Sequence, residues 1–313
     1  MKLVISQDLE LTQKHTIMPR FKTALIKTVH SQLFIHGCIF TSTATQNTTG
    51  KKMSDNWPTV DLYFTEQGEG FPLIIIHGLF GSADNWRTLA KKFAENYKVY
   101  CVDLRNHGRS PHIEGMNYQA MAADLEQFMA AQQIEQAHII GHSMGGKVAM
   151  QLALSHPEKI AKLVIADIAP VTYEHGHDDV IAAFYAVRAA GGVASRKEGD
   201  VLMSEHVKEL GVRQFLMTNL EKKDTGKLEW RVGLDQIRDD YDSVVEAPAG
   251  TPFDGNTLFI RGGNSHYVLD SHWPQIQALF PQALLSTVEG TGHWLHAEKP
   301  LDFLGNVSEF LAD

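Results

Sequence analysis

Short apolar runs alternate with amphipathic stretches from residue 59 to the end of the chain. Pro72–Ile76, Lys98–Val102, Ala137–Ile140, Ala161–Ala166, Thr257–Ile260 and Ala283–Val288 are brief and mostly apolar, which predicts strands buried on both faces of a parallel sheet. Thr59–Thr65 instead alternates and leads into Glu66-Gln67-Gly68-Glu69-Gly70, so an antiparallel strand and a turn open the series. Between the runs, apolar residues recur at helical spacing. Trp86, Leu89, Ala90 and Phe93 follow an Asp84 N-cap; Met121, Leu125, Phe128 and Met129 share one face of a stretch from Tyr118 to about Gln133; Leu301–Leu311 closes the chain. Strands alternating with helices predict an α/β fold with a mainly parallel central sheet and helices on both faces.

One block breaks this rhythm. From Asp167 to Thr257 helical patterns recur (Asp178–Ala190, Lys197–Leu210, Val212–Leu220, Trp230–Tyr241) without a convincing strand. Inserted there, after the sixth strand of the series, a helical cap of about 169–250 would lie over the carboxyl ends of the strands, where open α/β sheets bind ligands. Phe184, Tyr185, Phe215, Met217 and Trp230 are its candidates for lining an acyl site; packing of helices on the sheet competes for the same side chains.

The apolar run 137–140 leads into Gly141-His142-Ser143-Met144-Gly145, and an Ala/Leu/Met-rich helical stretch follows. By composition alone a G-x-S-x-G arises about once in ten chains of this length, so the strand–helix setting carries the assignment. In that setting the pattern is a nucleophile elbow: the serine occupies a strained turn, and the glycines remove side chains that would strike neighbouring backbone. The hydroxyl stands at a helix N-terminus, whose amides favour developing negative charge.

Composition narrows the function. Of 28 Lys/Arg and 37 Asp/Glu, residues 1–54 hold seven basic and two acidic groups, leaving 21 against 35 beyond them, a net of −14. Such a body repels polyanions, which argues against a nucleic-acid partner. No apolar run approaches the ~20 residues of a membrane span. Cys38 and Cys101 make neither a disulfide framework nor a metal site, pointing to a reducing, cytoplasmic setting. Residues 1–54 are read apart from the body 55–313. From Leu11 to Ser54 they lack acids and are rich in Ser and Thr, as in a mitochondrial transit peptide; a disordered extension, or sequence upstream of a start at Met53, are the alternatives.

These motifs resemble the α/β-hydrolase superfamily across 59–312. His77-Gly78-Leu79-Phe80-Gly81-Ser82, Asp103-x-Arg105-x-His107-Gly108-x-Ser110 and the Ser143 elbow occur in its order. Ile165-Ala166-Asp167-Ile168-Ala169-Pro170, Gly262-Gly263-Asn264-Ser265 and Gly292-His293-Trp294-Leu295-His296-Ala297-Glu298-Lys299-Pro300 are similar to the small esterase branch of YbfF-type esterases and ABHD11-type (abhydrolase domain 11) proteins. The resemblance implies ester or thioester hydrolysis, with short-chain esters and acyl-CoA-like thioesters as substrates.

The chemistry points the same way. A serine hydroxyl needs a general base, worth about 10²–10⁴-fold. His293 lies in a Gly-rich loop after the last strand and follows the serine in the order Ser…Asp…His. His296 competes, although its place before Glu298 and Pro300 suits helix entry; His142, on a strand, should point away from Ser143. The superfamily's acid closes a Gly-x-x-Asp turn, but here that position is Ser265, which cannot stabilise an imidazolium as a carboxylate does. Asp167 at a strand end is the favoured acid because its backbone is rigidly placed; Asp235 in the cap is the rival, and Ser265 becomes an auxiliary partner. The oxyanion hole is expected from the amides of Met144 and Leu79, with Phe80 as substitute for Leu79. Asp103, Arg105 and His107 read as loop braces.

These residues define a serine carboxylesterase or thioesterase working through an acyl-serine without metal or cofactor, its partner a small ester or thioester. A perhydrolase, haloperoxidase or C–C hydrolase could use the same triad, and a non-catalytic binding protein is the rival from another class. Dehalogenase and epoxide hydrolase chemistry would need an aspartate at the elbow.

Overall fold

In the computed structural model, residues 58–312 are described. The extension 1–54 therefore lies outside the described residues. A sheet is built from β1 (Phe64–Gln67), β2 (Pro72–Ile76), β3 (Lys98–Val102), β4 (Ala137–His142) and β5 (Ile160–Ala166), with α1 (Arg87–Phe93), α2 (Tyr118–Ala131) and α3 (Met144–Ser155) between them. The cap follows: α4 (Asp178–Ala189), α5 (Arg196–Met203), α6 (Leu210–Leu216), β6 (Leu220–Lys222), β7 (Leu228–Trp230), α7 (Leu234–Asp239) and α8 (Tyr241–Val245). The chain then completes the sheet with β8 (Thr257–Gly262), α9 (Trp273–Leu279) and β9 (Ala283–Val288), and ends in α10 (Leu295–Glu298) and α11 (Pro300–Ala312).

The sheet order is β1-β3-β2-β4-β5-β8-β9; β1 is antiparallel to β3 and every other pairing is parallel. Period-2 alternation splits the apolar runs between two cores. Ile74, Ile76, Tyr100, Val102, Ile139, Leu163, Ile165 and Phe259 face the layer containing α2 and α3, while Leu73, Ile75, Val99, Cys101, Ile140, Val164, Leu258 and Ile260 face α1 and α11. Burial on both faces is why these strands read as continuous apolar runs rather than alternating ones.

Several expected boundaries move. The opening strand begins at Phe64, not Thr59, although Val60 and Leu62 are still buried. Because only β1 precedes Pro72, the strand before the cap is the fifth of the described chain, not the sixth. The cap is not all helical: β6 and β7 pair antiparallel across a turn containing Gly226 at φ +80°. Three-residue strands are too short to show a period, so this hairpin was hidden among helical patterns. The expected helix Trp230–Tyr241 starts only at Leu234 and breaks at Asp240, whose carboxylate accepts the amides of Gly115 and Met116 at 3.0 and 2.7 Å.

Candidate active site

The strand register assembles the site. β4 and β5 pair His142 with Ala166, so the next residues, Ser143 and Asp167, leave neighbouring strand ends side by side. The Ser143 amide donates to the Ala166 carbonyl at 2.9 Å, and the Asp167 amide to that of Ile260 at 2.8 Å. Both residues have positive φ, +52° each, a backbone state costing about 1–3 kcal/mol for a residue with a side chain. The elbow tolerates no bulk: a Cβ on Gly145 would stand 2.4 Å from the His77 carbonyl oxygen, and one on Gly141 2.4 Å from that of Gly145.

His293, in the loop after β9, bridges the two. Its Nε2 lies 2.9 Å from Ser143 Oγ and its Nδ1 2.7 Å from Asp167 Oδ2. The carboxylate is fully buried and accepts two further hydrogen bonds: Oδ1 accepts the Gly262 amide at 3.0 Å, and Oδ2 also accepts the Ser265 hydroxyl. Tyr267 stacks on the imidazole with ring centroids 4.0 Å apart, fixing its plane. The structure thus brings Ser143, His293, Asp167 and Ser265 into one hydrogen-bonded line.

Asp235 does not join it. On α7 it accepts from the Tyr185 hydroxyl at 2.6 Å and pairs with Arg188 at 2.7 Å; these contacts hold its carboxyl below the usual range, and it has no hydrogen bond to His293. The cap turns that side chain toward Tyr185 and Arg188 and away from the line that holds Ser143, His293 and Asp167. His296 is likewise occupied elsewhere, stacked on Trp86 at 4.4 Å. His142 donates or accepts at neither Ser143 nor Asp167; its Nε2 lies 2.8 Å from the His293 carbonyl oxygen, to which it donates.

Two buried histidines shape the loop bearing the second expected oxyanion amide. His77 Nδ1 donates to the Gly78 carbonyl at 2.8 Å while Nε2 accepts the Leu104 amide; His107 Nδ1 donates to the Arg105 carbonyl while Nε2 accepts the Phe80 amide at 3.0 Å. The Phe80 amide is thereby consumed. The amides of Leu79 and Met144 have no acceptor among the described residues, and both residues line the same cavity as Ser143. Asp103 accepts the Ala83 and Arg109 amides at 2.6 and 2.8 Å, and Arg105 pairs with Asp124 at 2.6 Å with both side chains fully buried. Asp103 and Arg105 brace the loops and line neither of the two pockets beside Ser143.

Burial lowers the pKa of His77 to about 4, of His107 to about 3 and of His296 to about 3. Unfolded, each titrates near 6.5. Below that pH the unfolded chain binds protons that the folded chain does not, so stability is complete above about 6.5 and falls on acidification toward 4 and 3. A melting series should therefore show Tm falling by about 5 °C or more between pH 7.5 and 5.0; a flat profile would contradict neutral buried rings.

Ser143 stands between two cavity lobes. The larger, about 460 Å³, is lined by Tyr118, Lys147, Ile168, Tyr173 and Tyr241; the smaller, about 290 Å³, by Val180, Val212, Phe215, Leu216, His293 and Trp294. Leu79, His177 and Tyr267 border both. Of the aromatic and Met side chains expected to line an acyl site, only Phe215 lines either lobe, the smaller one. Phe184 is fully buried against Phe80, Met217 is buried, Tyr185 binds Asp235, and the Trp230 indole donates to the Phe184 carbonyl. Lys147 and His177 were not anticipated. Lys147 had a signal, the lone charged residue in the mostly apolar helix after the elbow; His177 precedes α4 in a segment without periodicity. Among the described residues no three His, Cys, Asp or Glu side chains are grouped to hold a metal ion.

The chain belongs to the α/β-hydrolase family. The family described as "alpha/beta hydrolase fold" matches residues 72–205. The sn-1-specific diacylglycerol lipase ABHD11 of Mus musculus is 43% identical over 248 residues, 77% of this chain and 80% of that protein. Esterase YbfF of Escherichia coli is 41% identical over 248 residues, 79% of this chain and 95% of that one. A marine microorganism esterase superposes with a TM-score of 0.78 at 39% identity, covering 80% of this chain and all of the other.

Proposed function

We propose that this protein is a serine ester hydrolase in which Ser143 is the nucleophile, His293 the general base and acid, and Asp167 the orienting carboxylate. The observation that carries the reading is the continuous line Ser143 Oγ–His293 Nε2 at 2.9 Å and His293 Nδ1–Asp167 Oδ2 at 2.7 Å. Relatives named as an esterase and a diacylglycerol lipase support the ester-hydrolysing class.

In the proposed cycle, Ser143 Oγ attacks the carbonyl carbon as its proton passes to His293 Nε2. Asp167 holds the Nδ1–H, keeping Nε2 free to accept and stabilising the imidazolium. The amides of Met144 and Leu79 meet the oxyanion, each worth about 3 kcal/mol. Collapse breaks the carbonyl–oxygen bond of the ester; the leaving alkoxide takes the proton from Nε2, and an acyl-Ser143 remains. Water then attacks with His293 as base, and the acid departs as Ser143 recovers its proton. A thioester would follow the same path with a thiol leaving.

His293 also orients the substrate. The leaving oxygen must reach Nε2, and His293 lines only the smaller lobe. That lobe, apolar through Val180, Val212, Phe215, Leu216 and Trp294, is the alcohol side; the larger lobe takes the acyl group. The test is an ester panel with the acyl group fixed and the alcohol varied. Turnover should rise from methyl to benzyl alcohols as apolar area is buried, at about 25 cal/mol per Å². Hydrolysis of acyl-CoA but of no oxygen ester would narrow the class to thioesterase; no turnover of either would contradict the proposal.

A further inference from the structure

Lys147 is unusual for its position. It follows Ser143 by four residues on α3, about 6 Å along the helix axis, and long helical side chains lean back toward the N-terminus. The residue is only 1% exposed, yet it lines the larger lobe. Its Nζ donates to the carbonyls of Val245 at 3.0 Å and Glu246 at 2.5 Å, at the end of α8, and sits 4.7 Å from the Tyr173 ring centroid and 5.5 Å from that of Tyr118. Two of three N–H bonds are thus taken by neutral oxygens. Among the described residues no carboxylate forms an ion pair with it; Glu174, the acid that lines the same lobe, is exposed, and the Glu246 carboxylate acts on it only at longer range. Burial accordingly draws the ammonium down to about 7.

A cation taken out of water without a counter-charge is costly, and a ligand supplying that charge recovers much of the cost. We propose that the acyl lobe selects acyl groups ending in a carboxylate, which pairs with Lys147: the substrates are half-esters of short dicarboxylic acids with an apolar alcohol. A single ammonium among tyrosines and aliphatic side chains matches a monoanion better than a dianionic phosphate. Ser143 and Lys147 stand one helical turn apart and line the same lobe, so the chain between reacting carbonyl and carboxylate is short, as in a succinyl or glutaryl group. This inference rests on the esterase reading and on the lobe assignment made above.

The experiment compares monobenzyl glutarate with benzyl pentanoate, which share chain length and leaving group, on the wild type, Lys147→Met and Lys147→Arg. The wild type should favour the glutarate half-ester in kcat/KM by about 10- to 100-fold, as a charge-assisted hydrogen bond allows. Lys147→Met should bring the ratio to parity or below, and Lys147→Arg should largely keep it. A lysine that only tethers α8 would, when removed, depress both esters together and leave the ratio intact, which would overturn the proposal; so would a wild type indifferent to the terminal charge. A readout independent of any variant is inhibition of the wild type by two unreactive amides. N-benzylglutaramate should bind at least about tenfold more tightly than N-benzylpentanamide, and equal inhibition would also overturn the proposal. Turnover of benzyl pentanoate without preference for the half-ester removes this inference alone. Turnover of neither ester removes it together with the esterase reading.

Discussion

His293→Ala is expected to lower kcat on any ester substrate by about 10⁶-fold, the loss found when one member of a nucleophile–base pair acting as a unit is removed. The size follows from the geometry. Among the described residues, Ser143 Oγ has one base within reach, at 2.9 Å. His142 spends its Nε2 on the His293 carbonyl, and His296 is stacked on Trp86, so neither ring is placed to substitute. What survives should be the contribution of the oxyanion amides and of substrate binding, about 10³–10⁴-fold over water. KM should change little, because the imidazole works mainly in the transition state. Steady-state kinetics with benzyl esters check this, and a loss below about 100-fold would mean that another group takes the proton.

Asp167→Asn should cost about 10⁴-fold in kcat with little change in KM. The amide could keep its oxygen on the Gly262 N–H, which then turns its NH₂ toward His293 Nδ1. Facing a donor, Nδ1 must become the acceptor, and Nε2 then carries the proton and cannot take one from Ser143. The loss is therefore a tautomer effect, visible with the fold intact and Tm nearly unchanged. Ser265 cannot compensate, since its hydroxyl acts by donating to the same carboxylate. Asp235→Asn, on the cap surface against Arg188, should leave kcat within about twofold. The opposite pattern would place the orienting charge on the cap.

How far the sequence discloses this site depends on whether a feature is local. The strand–elbow–helix unit is local: an apolar run, glycines around Ser143 and a helical stretch occupy contiguous positions, and their physical reasons are steric. The central strands were legible for the same reason, since double-sided burial leaves continuous apolar runs. The acid was legible only as a preference for Asp167 at a strand end; what sequence cannot show is the register by which β4 and β5 set Asp167 beside Ser143, whereas α7 carries Asp235 to Arg188. That the Phe80 amide is taken by His107, twenty-seven residues away, was likewise not readable from the loop itself. Cavity lining was least legible. Aromatic side chains of the cap mostly pack inward, as Phe184 does, while Lys147, Tyr173 and Tyr267 reach the lobes from the elbow helix and from loops whose sequences carry no periodic signal.

The measurement that bears most directly on the whole account is intact mass after exposure to a fluorophosphonate, with wild type and Ser143→Ala side by side. An activated serine displaces fluoride from phosphorus and keeps the phosphonyl group, so one stoichiometric adduct should form on the wild type and none on Ser143→Ala. An unlabelled wild type that melts cooperatively, or an adduct that persists on Ser143→Ala, would contradict the assignment of Ser143 as the nucleophile.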